Sequence, residues 1–136
     1  MQFPRAFPAE FPRPMPFVGD PFAAAFRPGD IGGLIEPWSR ASLSQDTAGA
    51  TPVTAHGDPV GRAYSRFGGG YHPVQSTALS KPLYKVDGNG AGYLEFDGTN
   101  DTLITPSVPW ATDEVTIIAA IMAARTGVQS VIAGIG

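Results

Sequence analysis

Proline and glycine set the first limit on this chain. They number 14 and 17 of its 136 residues, and each interrupts regular structure for its own reason. Proline fixes φ and lacks a backbone donor, while glycine reaches positive φ at little steric cost. A chain so punctuated is expected to fold into turns and extended segments, with few helices. The densest stretch is residues 1–28. There Phe3-Pro4-Arg5-Ala6, Phe7-Pro8-Ala9-Glu10 and Phe11-Pro12-Arg13-Pro14 form a four-residue repeat, which Met15-Pro16-Phe17 breaks. Phe3, Phe7 and Phe11 each precede a proline, which pushes them out of the helical region. The pattern excludes a helix or a central strand. Polyproline II is the expected conformation, with a rise of about 3.1 Å per residue and successive rings roughly 12 Å apart.

Phe3, Phe7, Phe11 and Phe17 are therefore candidate anchors for a sheet edge or groove on a partner subunit. A preformed extended peptide loses less conformational freedom on binding than a floppy one. A disordered tail is the competing reading, but disordered segments are poor in aromatics. Between Pro21 and Pro28, Phe22-Ala23-Ala24-Ala25-Phe26 has room for one helical turn.

The length fits one folding domain, and 43% hydrophobic residues are enough to bury a core. Charged residues make up 15% and the net charge is −3, which argues against nucleic acid as the main partner. With no cysteine, a disulfide scaffold and a thiolate metal site are excluded. The longest apolar run, 115–124, is shorter than the roughly 20 residues that cross a bilayer. Prolines break any apolar stretch of a signal peptide at the N-terminus. Membrane insertion is not expected.

Residues 29–85 read as a loop-rich section, punctuated by Pro28-Gly29-Asp30, Gly32-Gly33, Gly57-Asp58-Pro59 and Gly68-Gly69-Gly70. Short strands are expected at 34–36, 52–55 and 60–64, with Trp38, Tyr64, Phe67 and Tyr71 supplying apolar bulk. This section is expected to wrap over a sandwich or over a neighbour.

Residues 86–136 carry the regular β signal. Runs 93–96 and 102–105 flank Asp97-Gly98-Thr99-Asn100-Asp101, and Leu94 and Phe96 alternate with Glu95 and Asp97. That is the period of a half-buried strand, and Asp-Gly is strong turn chemistry. A hairpin is expected here. The 115–124 run reads as a strand covered on both faces, with a helix capped by Thr112 as the rival. Residues 129–135 read as one more strand. A sandwich needs about seven strands, and the chain offers roughly four or five. Either the sandwich is small, or neighbours complete it, or the chain is part of a longer product.

One segment resembles a known family. The stretch Leu43-Ser44-Gln45-Asp46-Thr47-Ala48-Gly49-Ala50-Thr51-Pro52-Val53-Thr54-Ala55-His56-Gly57-Asp58-Pro59-Val60-Gly61 is similar to a segment of tailed-phage and prophage virion proteins. Gly68-Gly69-Gly70-Tyr71-His72-Pro73-Val74-Gln75-Ser76-Thr77 and Lys81-Pro82 follow in the order seen in those proteins. Leu94, Phe96, Asp97, Gly98, Asp101 and Leu103 then resemble the start of concanavalin A-like, laminin-G-type jelly rolls. The resemblance covers about residues 38–125 and leaves the Pro-Phe arm outside it. It implies an all-β fold, an antiparallel jelly-roll-like sandwich preceded by the extended arm. The expected organisation is an anchoring arm at 1–28, a wrapping segment at 29–85 and the start of a lectin-like sandwich at 86–136.

Lectin-like sandwiches include glycoside hydrolases, which place two or three acids on one strand, with a catalytic pair about 5–5.5 Å apart. Glu95 and Asp97 occupy two such positions, but Thr99 and Asn100 stand where a further Glu is needed. A catalytic role is therefore not expected, nor is any cofactor. Asp97, Asn100 and Asp101 offer oxygens in a turn, short of the six to eight that Ca²⁺ takes. His56 and His72 have no ligand-spaced partner, so no metal site is assigned. The expected function is that of a phage or phage-like particle structural protein: a spike, fibre or tail-associated subunit located in the virion. Other virion proteins and further copies of the chain are its expected partners. The alternative is a host-surface glycan-binding module, with a glycan hydrolase behind it.

Overall fold

The computed structural model describes residues 29–67, 69–109 and 116–120. Within them, short antiparallel pairings replace long strands. Strand β1 (Leu43–Ser44) follows a 3-10 turn at Arg40–Ser42 and pairs with β2 (Arg62–Ala63). A second 3-10 turn at Ala78–Ser80 precedes β3 (Leu83–Val86), which pairs with β4 (Gly92–Glu95). The described chain is thus mostly non-helical and carries two small antiparallel sheets.

Single antiparallel bridges widen both sheets. Ser44 bridges Pro52 as well as Arg62, Arg62 also bridges Val74, and Val74 bridges Ile104. Five extended segments therefore lie side by side in the order 52, 44, 62, 74, 104, though each contact is only a residue or two wide. Pro59 bridges Leu83, which adds a third segment to the β3–β4 pair. The prolines explain the narrowness: Pro52, Pro59, Pro73 and Pro82 each remove a ladder donor, so pairing stops within a residue or two.

The buried apolar cluster is Leu43, Val53, Val60, Ala63 and Tyr84, with Ile35, Val86, Leu94 and Leu103 packed against it. All five buried members come from the 29–85 section, so this section builds core as well as loops. The short strands expected there at 34–36, 52–55 and 60–64 survive as the Ile35↔Ser65 bridge, the Pro52 bridge and β2.

The hairpin expected across 97–101 is not formed. Strand β4 pairs with β3 instead, in the register Leu83↔Glu95 to Val86↔Gly92. The reason lies in the two turns. Asp87 closes the β3–β4 connection tightly: its N–H donates to Ala91 O at 2.9 Å, and its Oδ1 accepts from Asn89 N at 2.9 Å and Ala91 N at 2.8 Å. Gly90 supplies the positive φ, +85°, that this return needs. The 97–101 turn satisfies itself and hands the chain to other partners. Thr102 N donates to Ser80 O at 3.0 Å, and Ile104 exchanges two backbone hydrogen bonds with Val74. Phe96, placed by sequence in the core, is 49% exposed.

The strand expected at 115–124 is also corrected where it can be seen. Residues 116–120 form no strand with the other described residues and are exposed. The remainder of that run, the 129–135 strand, the 22–26 turn and the Pro-Phe arm lie outside the described residues. Among the described residues, no helix is long and apolar enough to cross a membrane.

Gly61, just before β2, lies close against the backbone just after β1. A Cβ there would lie 2.5 Å from Gln45 O and 2.9 Å from Gln45 C, both backbone atoms that have little room to move. Gly61→Ala is expected to lower stability by about 1–3 kcal/mol, the usual range for overpacking. Gly88→Ala, where a Cβ meets nothing within 4 Å, should change it by less than about 0.5 kcal/mol. Urea unfolding of both variants checks the contrast.

Candidate functional site

The 43–61 stretch folds into two loops, each closed by one carboxylate. Asp46 Oδ1 accepts from Gly49 N at 2.6 Å and Ala50 N at 3.1 Å, and its Oδ2 accepts from Thr51 N. Asp58 Oδ2 accepts from Thr54 N at 2.8 Å, Ala55 N at 2.9 Å and Thr54 Oγ1 at 3.3 Å. Gly49 and Gly57 supply positive φ at the two bends, +86° and +95°. Gln45 ties the loops together. Its N–H donates to Thr51 O at 2.7 Å, and its Nε2 donates to Pro52 O at 3.0 Å and Asp58 Oδ2 at 3.4 Å. Lys81 Nζ donates to Gln45 O at 2.8 Å, clamping the knot to the chain before β3.

Hydrogen bonds from Thr51, Ala50 and Gly49 hold the Asp46 carboxyl far below its ordinary value. Backbone donation from Thr54 and Ala55 lowers that of Asp58, and donation from Thr99, Asn100 and Asp101 lowers that of Asp97. A carboxylate held ionised by its own loop is a poor proton donor. Asp97, a candidate acid by sequence, is in this class: its Oδ1 accepts from Thr99 N at 2.8 Å, Asn100 N at 3.2 Å and Asp101 N at 3.3 Å. Glu95 lies across the β3–β4 pair from Lys85, with Oε2 at 3.3 Å from Nζ. Glu95 and Asp97 are thus each already engaged, the first by Lys85 and the second by its own loop.

A row of rings and cations runs beside the knot. The Arg62 guanidinium lies 4.7 Å from the Tyr64 ring centroid and donates to Thr47 O at 3.0 Å. Tyr64 meets His72 edge to face, centroids 5.2 Å apart, and its hydroxyl fills the space over Gly49. His72 Nδ1 accepts from Ser65 N at 2.9 Å, which puts the ring proton on Nε2. Burial and the nearby Arg62 charge both lower the His72 pKa. Arg66 pairs with Glu36 at 2.8 Å and covers the Phe67 ring. His56 Nδ1 likewise accepts from a backbone donor, Val86 N, at 3.1 Å. Among the described residues, no cluster of three His, Cys, Asp or Glu is placed to hold a metal ion.

A shallow cleft of about 180 Å³ lies beside this row, with one lining residue, Ile35, bridged to Ser65. Gly32, Gly33 and Ile35 form one wall, Tyr71 and Pro73 a second, and Thr105 and Val108 the third. These residues come from three distant stretches, so no local motif announces the cleft. The Arg62–Tyr64–Arg66 alternation did carry a signal, since residues two apart on an extended chain share a face. Phe3, Phe7, Phe11 and Phe17, the anchors expected from sequence, lie outside the described residues.

Compared with protein-family models, curated proteins and solved structures, the chain matches none.

The titrating groups fix the direction of the acid response. His72 is lowered from 6.5, so the unfolded chain binds its proton first. Its contribution is complete above that value and is lost as pH falls below it. Asp46, Asp58 and Asp97 are lowered from 3.8, and their contributions are lost only as pH falls below that value. Urea midpoints should be level above neutrality and then fall in two steps. His72→Asn, whose side-chain oxygen can still accept from Ser65, should remove the first step and keep the second.

Proposed function

We propose that the protein is a structural subunit of a phage or phage-like particle: a spike, fibre or tail-associated component. Residues 1–28 anchor it, and the β unit projects. The observation that carries this reading is the balance between a thin core and an open apolar surface. Among the described residues, the buried cluster holds five side chains, while Trp38, Leu79, Phe96 and Ile104 are 53, 85, 49 and 64% exposed. Apolar surface left open in this way gains most when neighbours cover it. An oligomer, or a shell of other virion proteins, supplies such neighbours.

The knot supports the same reading. The 43–61 stretch that resembles a virion segment spends its distinctive residues on architecture. Asp46 and Asp58 capture backbone donors, Gly49 and Gly57 turn the chain, Val53 and Val60 enter the core, and Gly61 permits the close approach. The motif is thus a device for building a loop-rich β unit rather than a place for chemistry. The finer architecture in this reading is the first part of a lectin-like jelly roll. Five antiparallel segments side by side, widened by single bridges, support it.

The test is incorporation into particles. In particles made from the genome that encodes the chain, deletion of residues 1–28 is expected to leave them without this protein, by gel and mass spectrometry. The β unit should remain folded, by circular dichroism. Incorporation at the normal level without the arm would sink the anchoring role.

A further inference from the structure

We infer that the cleft between Gly32-Gly33, Tyr71-Pro73 and Thr105-Val108 receives the Phe-Pro arm of a second copy of this chain. The inference rests on reading residues 1–28 as an anchor, and it names where that anchor docks. The walls fit such an occupant. Tyr71, Pro73, Ile35 and Val108 line the cleft with a ring and apolar carbons. Aromatic- and proline-lined grooves suit extended proline-rich peptides, which need a flat apolar bed more than a deep pocket. At about 180 Å³ the cleft has room for one phenyl ring.

The occupant comes from the length and composition of chain outside the described residues. Residues 1–28 place Phe3, Phe7, Phe11 and Phe17 beside prolines. The described fold begins at Gly29, three residues before the cleft wall at Gly32. The mouth of one subunit's cleft therefore lies close to the root of its own arm. An extended 3–17 stretch is roughly 45 Å long, whereas a unit of this size has a radius of gyration of about 12 Å. The prolines oppose a tight reversal. The distal rings thus overshoot their own cleft and reach a neighbour's, and each subunit both gives an arm and receives one. An exchange of this kind closes as a symmetric pair or continues as a ring or fibre, depending on the angle between subunits.

The experiment is sedimentation velocity on the full chain and on two sets of full-chain variants. The arm variant replaces Phe3, Phe7, Phe11 and Phe17 by Ser. The cleft variants are Thr105→Trp, at an exposed rim position, and Val108→Asp as an independent second. The parent chain is expected to self-associate, and each variant alone to raise the dissociation constant roughly tenfold or more. An equimolar mixture of arm and cleft variants should regain association, since one intact arm then meets one intact cleft. Thermal melts by circular dichroism identify any variant that fails to fold, and the other cleft substitution then decides. A monomeric parent at high micromolar concentration, association untouched by either set, or a mixture that fails to recover would each overturn the exchange. Arm-dependent incorporation into particles alongside such a failure would remove the cleft as receptor and leave the anchoring role standing.

Discussion

Capture of loop N–H groups by aspartate carboxylates is the interaction on which the rest of this fold depends. A chain interrupted so often by proline and glycine cannot place its backbone donors in long ladders, so its loops depend on other acceptors to hold their shape. Asp46, Asp58, Asp87 and Asp97 each take two or three of them. Each stands at the edge of a loop, so the short extended segments emerge at fixed places. The bridges and the small core follow from that placement. Backbone donation holds Asp46, Asp58 and Asp97 ionised, and those three loops are strongest where their aspartates are charged.

The second constraint is close approach. Gly61 lets the backbone before β2 lie against Gln45, and Gly92 leaves the space that the Tyr84 hydroxyl occupies. Gln45, reached by Lys81 from one side and reaching Asp58 on the other, makes the two loops one body. Around it, Arg62, Tyr64 and His72 interlock by stacking and by the hydrogen bond from Ser65 to His72. Residues that look in sequence like candidate ligands or acids are spent on holding chain to chain.

Local features of the fold were legible in the sequence. Turn chemistry at Asp87-Gly88-Asn89-Gly90 and at Asp97-Gly98 is encoded within a few residues, and both turns form. The extended segments at 34–36, 52–55 and 60–64 carry their own β-type side chains and appear where expected, though narrower. Pairing was not legible. Residues 93–96 are compatible with 102–105 or with 83–86, and what decides is the Asp87 turn together with the hold of Ser80 and Val74 on the later segment. The alternation that placed Phe96 in the core misled because β4 ends at Glu95, after which strand periodicity no longer applies. The cleft was invisible for a related reason: its walls are about seventy-five residues apart at the extremes, and nothing local links them.

The one-residue bridges also set how the chain must find its fold. Ile35 meets Ser65 and Val74 meets Ile104 across about thirty residues each, and neither contact has a long strand to zip outward from. Each closure therefore carries the entropy of a long loop for a small immediate return, in a topology of high contact order that belongs with the slow, millisecond-to-second folders. The loops closed around Asp46 and Asp58 lie within the 35–65 span and shorten its effective length.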